Sequence, residues 1–239
     1  VEAYHRRQKN ARYIDDLKMM NAAEKSEIQL VQGHTKFGAH QFFEKEMPYI
    51  TVLREPVARI LSFYYYVKKI PEHRLHQLIQ KNNWGLKEFV ENMDERNLNN
   101  GQAQLIAGKS EGEDILQTAK ENLGNHFAAV GLTEKFDESL ILFKQKLAWK
   151  NVRYRLRNVN QKKKTIKEVP EEVLEIIRQK NALDMELYEY GKKLFEAQLA
   201  EVKNLDDELN RMKSFNKKYE AYMGLRGTIG GWFIKPKKR

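Results

Sequence analysis

Apolar positions change period several times along the chain. In "YITVL" (49–53) they run almost unbroken, which predicts a short strand covered on both faces, as in a parallel sheet. Beyond an elbow, "PVARILSFYYYVKK" reads as a helix, with Pro56 in the first turn where its missing N–H costs nothing. "EIQLV" (27–31) and "HFAAVGL" (126–132) are two further strand candidates, and a helix is expected over 4–24, with Tyr13, Leu17 and Met20 on one face. "GLKEFVENM" and part of "NLNNGQAQLIAG" predict short helices, and "DILQTAKENLG" a longer one ended by Gly124. Thr133 is expected to cap the helix "EKFDESLILFKQKL", whose apolar positions 136, 140, 143 and 147 have helical spacing.

Residues 70–84 read as irregular. "VRYRLRNVNQKKKTIKEV" predicts a strand followed by a basic loop, and Pro170 opens the helix "PEEVLEIIRQKN". From 182 to 222 the pattern is helical almost throughout, and the glycine-rich basic tail "GLRGTIGGWFIKPKKR" reads as a loose appendage. Strands alternating with helices predict an α/β fold with a mainly parallel sheet. The expected division is an α/β domain over 1–200 and a C-terminal helix and tail over 201–239.

Composition narrows the function classes. At 239 residues and 41% hydrophobic content, the chain can bury a core. No apolar run approaches the length of a membrane span, and "VEAYHRRQKN" is no signal peptide. With no cysteine, disulfides, thiolate catalysis and cysteine-ligated zinc are excluded. The net charge of +10 points to an anionic ligand or to an unbalanced, soluble surface. The basic "FIKPKKR" suggests nucleic acid or an anionic membrane, but the helix before it interleaves Glu and Asp with its cations, as a solvated face does. Neither nucleic acid nor a membrane is the expected partner, and no metal site is expected.

The elbow "LREPVARILS" carries the chemistry. Ligands of α/β sheets sit at the carboxyl ends of strands and near helix N-termini. Arg54 falls there and offers a planar fork for a phosphate, and Ser62 lies one turn beyond Arg59 on the same helix face. The competing assignment is a structural ion pair of Arg54, with Glu55 or elsewhere, and back-bonding of Ser62 to its own helix.

The stretch "YITVLREPVARILSFYYYVKK" resembles the 3′-phosphate-binding strand, loop and helix of the carbohydrate sulfotransferases, in the branch of heparan sulfate 2-O-sulfotransferase and its bacterial relatives. "QGHTKFG", "NLNNGQAQLIAG", "HFAAVGLTEKFDESLILF", "RNVNQKKK" and "NALDMELYEYGKKLFE" are similar to further segments of that family, in the same order. The resemblance implies a P-loop-type parallel sheet flanked by helices. It implies transfer of a sulfuryl group from 3′-phosphoadenosine 5′-phosphosulfate (PAPS) to a hydroxyl of a carbohydrate acceptor, leaving 3′-phosphoadenosine 5′-phosphate (PAP).

By the same resemblance Arg54 and Ser62 hold the donor's 3′-phosphate, Lys163 in the basic run 162–164 contacts the donor, and His34 is the general base. His40 competes for that last role. Lys36 is the contact expected for an anionic sugar. Upstream, the chain departs from the family: the first strand and the lysine-bearing loop for the 5′-phosphosulfate are missing. "GHTKFGAH" has the two glycines of such a loop but Ala39 in place of the lysine, and it follows the second expected strand of the fold and not the first, so the likeness is a coincidence. Three explanations follow: a truncated sulfotransferase, which is the most economical, a non-catalytic nucleotide- or glycan-binding descendant, or a 5′ loop that comes from elsewhere. The expected location is cytoplasmic, as for bacterial relatives, or the Golgi lumen for a eukaryotic fragment. The C-terminal helix could pair two copies.

Overall fold

The computed structural model describes residues 14–92, 98–152, 154 and 166–230. Two short helices, α1 (Ile14–Met19) and α2 (Ala22–Ser26), lead through a loop to strand β1 (Tyr49–Leu53). Five helices cross over before the second strand: α3 (Pro56–Lys69), α4 (Arg74–Lys81), α5 (Leu86–Asn92), α6 (Gly101–Ala107) and α7 (Ile115–Asn125). Strand β2 (Phe127–Leu132) pairs with β1 in parallel, setting Ile50 against Ala129 and Leu53 against Leu132. Then follow α8 (Phe136–Lys146), α9 (Glu171–Lys180), α10 (Ala182–Ala200) and α11 (Leu205–Gly230). The fold is mixed α/β, with a small parallel sheet among many helices. Among the described residues no helix is long and apolar enough to cross a membrane.

Two apolar cores flank the elbow. One gathers β2 with α6, α7, α8 and α10 around Ala129, Val130, Leu142 and Leu187. The other sets α3 against α4, α5 and α9, with Ile60, Leu61, Tyr64 and Val67 of α3 buried. Helical spacing of these four puts them on one face, which is why α3 docks there and directs its opposite side elsewhere. Gly191 lets α10 cross directly over the sheet, since a Cβ there would lie 2.4 Å from Leu53 Cδ1.

Several expectations need correction. Residues 27–31 form no strand: Ile28 is buried with Leu17 and Ala39 in a small separate cluster, so its apolarity serves loop packing. The helix expected over 4–24 is broken at Asn21 in its described part. The Asn21 side chain caps α2 by accepting from Glu24 N at 2.9 Å, and the Glu24 carboxylate accepts from Asn21 N in return. Strand β1 is not covered on both faces: Val52 is exposed, and the strand borders an open cleft.

The 70–84 segment is not irregular but holds α4, capped by the His73 ring, which accepts from Leu75 N. Helix α7 runs past Gly124, whose bare Cα makes room for the Tyr190 hydroxyl of α10. Thr133 does not cap α8: it sits in a 3₁₀ turn before that helix and donates to Leu53 O at 3.1 Å, tying the ends of the two strands together. The 182–222 helix divides at Asn204, which takes a left-handed conformation (φ 52°) between α10 and α11. The tail is helical as far as Gly230. The strand and basic loop expected over 152–169 lie largely outside the described residues, Lys163 with them.

Candidate functional site

The elbow between β1 and α3 is built from capping chemistry. Glu55 turns its carboxylate onto Val57 N and Ala58 N, at 3.0 and 2.6 Å, and so caps α3. Its own N–H donates to Glu134 Oε1 at 3.0 Å, and Tyr188 OH donates to the other oxygen of Glu134 at 3.2 Å. Burial and the Glu134 carboxylate both push the Tyr188 hydroxyl well above its ordinary value. The carboxyl ends of the two strands are thereby fixed to each other and to α10. Glu55 is engaged at the helix terminus by both of its carboxylate oxygens.

Arg54 follows directly after the strand. The side-chain amide of Gln102, from α6, grips its backbone at both ends: Arg54 N donates to Gln102 Oε1 and Gln102 Nε2 donates to Arg54 O, each at 2.9 Å. A single amide thus closes the pair of bonds that a neighbouring strand would otherwise close. The Arg54 guanidinium has one nitrogen, Nε, buried without a hydrogen-bond partner. Buried polar groups in native proteins are nearly always satisfied, so an orphaned donor of this kind calls for an acceptor.

Arg54 opens onto a cleft of about 510 Å³. One wall is β1 from Tyr49 to Leu53, and the facing wall is the loop Gly33, His34, Thr35 and Lys36. Arg59 and Gln102 close the end near Arg54. Among the described residues no carboxylate belongs to the lining, whereas Lys36, Arg54 and Arg59 do. Cations in a cleft without a carboxylate beside them focus a positive potential.

The cleft brings together His34, Lys36 and Arg54 of the residues singled out in the sequence. His34 is exposed on the loop, and Lys36 donates to Ser110 Oγ at 2.7 Å. Ser62 lies on the second turn of α3, half-buried, and is not part of the cleft lining. His40 faces away from base duty: its backbone N–H donates to Tyr49 OH at 2.8 Å, and its ring Nδ1 lies 2.9 Å from the same oxygen. His40 belongs to an aromatic group with Phe37, Tyr49 and His126 at the opposite end of β1. Burial there pushes the Tyr49 hydroxyl up. Among the described residues no cluster of histidine and carboxylate groups is arranged to hold a metal ion.

Sequence reasoning missed Gln102 and its support. Asp184, fully buried on α10, accepts from Gln102 N at 3.1 Å and Ala103 N at 2.7 Å, and lies 3.9 Å from Arg59 Nη1. Burial pushes its carboxyl above the ordinary range, against the opposing pull of both N–H donors and of Arg59. The signal was present as the polar run "NNGQ" ahead of an apolar helix.

Comparison with known proteins identifies the family. The family model described as galactose-3-O-sulfotransferase matches residues 7–223. Heparan-sulfate 6-O-sulfotransferase 2 from Homo sapiens and from Mus musculus are each 29% identical over 179 aligned residues. Those alignments cover 62% of this chain and 29% of each relative, so the chain matches less than a third of the relatives' length. These names differ from the 2-O branch suggested by the sequence motifs, within the same broad class of carbohydrate sulfotransferases.

Proposed function

We propose, from the premise that the chain belongs to the galactose-3-O-sulfotransferase family, that it transfers a sulfuryl group from PAPS to a hydroxyl of a carbohydrate acceptor. The observation that supports this most is the buried, unpartnered Nε of Arg54 at the head of a cleft whose described lining includes Lys36, Arg54 and Arg59 and no carboxylate. Bound there, PAPS supplies the sulfuryl group on a phosphate leaving group.

Arg54 is the residue to receive the 3′-phosphate, because its planar fork takes two phosphate oxygens at once. Ser62 adds a hydroxyl from α3, and Lys163 of the basic run adds charge. His34, on the loop that faces β1, is the general base: its imidazole takes the proton of the attacking hydroxyl at a ring nitrogen. Lys36, two residues on, meets an anionic group of the sugar. Galactose-bearing and heparan-type glycans are the acceptors to try first, given the names of the matching family and relatives. A cytoplasmic location is part of the same proposal, tested by fractionating the cells of origin.

The competing reading is binding of the nucleotide or a glycan without transfer. Incubation of the full chain with PAPS and each glycan separates the two readings. Sulfated glycan, with PAP released only when acceptor is present, supports transfer. PAP binding without turnover supports the binding-only reading, and no PAP binding contradicts both.

A further inference from the structure

Gln102 spends both ends of its amide on one backbone residue, and that residue is Arg54. We propose that Gln102 and Asp184 are positioning residues: through the Arg54 backbone they aim its guanidinium at the 3′-phosphate of the donor. The inference rests on the phosphate-binding role given to Arg54 above.

Arg54 lies just past β1, beyond the last strand pairing of Leu53 with Leu132. Without a partner, its backbone would have the freedom of a loop, and its long side chain would sweep a wide volume. The Gln102 amide removes that freedom. Gln102 is in turn immobilised by where its helix begins. Asp184 accepts from Gln102 N and Ala103 N, satisfying two of the orphan donors of α6. Asn100 returns the service: its side-chain oxygen accepts from Leu183 N at 2.9 Å and Asp184 N at 3.2 Å, at the start of α10.

The first turns of α6 and α10 therefore cap each other. Asn181 joins the same knot, accepting from Asn100 N and donating to Leu98 O. Asp184 also lies beside Arg59 on α3, the helix that begins two residues after Arg54. Both sides of the elbow are referenced to one buried carboxylate.

Folding asks for part of this arrangement: Gln102 and Asp184 are 9% and 0% exposed, and the backbone groups they hold need partners. Precise placement of a phosphate-binding arginine asks for it as well, since a site loses its grip when its supporting groups leave the side chain loose. The unpartnered Arg54 Nε fits the same picture: the guanidinium is held by its backbone frame and not by a partner of its own.

The test compares the full chain with Gln102→Met, which keeps the volume and removes both hydrogen bonds to Arg54, and with Arg54→Ala. Each is titrated by calorimetry with PAP and with adenosine 5′-monophosphate, which lacks the 3′-phosphate. The inference predicts that Gln102→Met loses roughly tenfold or more in PAP affinity while adenosine 5′-monophosphate affinity is unchanged. An unchanged PAP preference in Gln102→Met, with that preference lost in Arg54→Ala, overturns the positioning role and leaves the phosphate site standing. Equal losses toward both nucleotides overturn it too, as they mark a purely structural residue. A PAP preference that survives Arg54→Ala, or is absent from the unmodified chain, removes the reading on which the inference rests.

Should Gln102→Met fail to fold, amide hydrogen exchange on the unmodified chain decides. Protection of the Arg54 N–H comparable to the β1 amides supports the clamp, and exchange at loop rates overturns it.

Discussion

Replacing Arg54 by methionine should make the ligand-free protein more stable. The Arg54 Nε is buried without a partner, and an unsatisfied buried donor costs about 1–3 kcal/mol. Methionine keeps an unbranched stem along the cleft wall and removes that donor. Glu55, the nearest acid in sequence, caps α3 through Val57 N and Ala58 N and loses nothing by the change. Packing lost with the end of the side chain offsets the gain by less than about 1 kcal/mol, since part of the guanidinium borders an open cleft. A net gain of about 1–2 kcal/mol raises the melting temperature of a domain this size by roughly 2–8 °C. Thermal unfolding followed by circular dichroism measures it, in a buffer free of phosphate and sulfate so that no anion satisfies the arginine. Added PAP should then stabilise the unmodified chain and leave Arg54→Met unchanged. A fall of 2 °C or more in the variant refutes the reasoning, because it would show that Arg54 earns its place through structure.

His34→Gln should lower kcat by about 10²–10⁴ with donor affinity unchanged, the signature of a lost general base; a loss confined to donor affinity would place His34 elsewhere. Gly131→Ala should destabilise by about 1–3 kcal/mol in urea unfolding, because a Cβ there would stand 2.8 Å from Ser139 Cβ and 2.7 Å from Phe143 Cζ. An unchanged midpoint would mean that α8 shifts freely away from β2. Asp184→Asn probes pH. The folded-state pKa of Asp184 is raised by burial, so its contribution to stability is complete below the ordinary Asp value of about 4 and is lost as pH rises toward the folded value. The stability gap between the unmodified chain and Asp184→Asn should therefore narrow as pH increases from about 4, and a widening gap would reverse the assignment.

The parts of the site that depend on local pattern were legible in the sequence. The apolar run of β1, the proline at the first turn of α3 and the arginine between them are neighbours in the chain, and the structure places them as strand, helix and elbow. Near-continuous apolar character misled where it was taken to mean a fully covered strand, because Val52 borders a cleft. It misled again at Ile28, where one buried residue anchors a loop. Histidine as a helix cap carries little signal by composition, so α4 behind His73 was read as irregular.

The support of Arg54 was least legible for a physical reason. Gln102 bonds to a residue 48 positions away, and Asp184 to one 82 positions away. Neither spacing is a period of any local structure. A polar run before an apolar helix announces a cap, but not which distant backbone the spare amide will hold.

The central claim is that the elbow grips the phosphate that distinguishes the sulfate donor. Calorimetric titration of the full chain with PAP, beside adenosine 5′-monophosphate, tests it most directly. Tight binding that requires the 3′-phosphate and disappears in Arg54→Ala is the predicted result. Equal affinity for the two nucleotides, or PAP binding that survives the loss of Arg54, would contradict it.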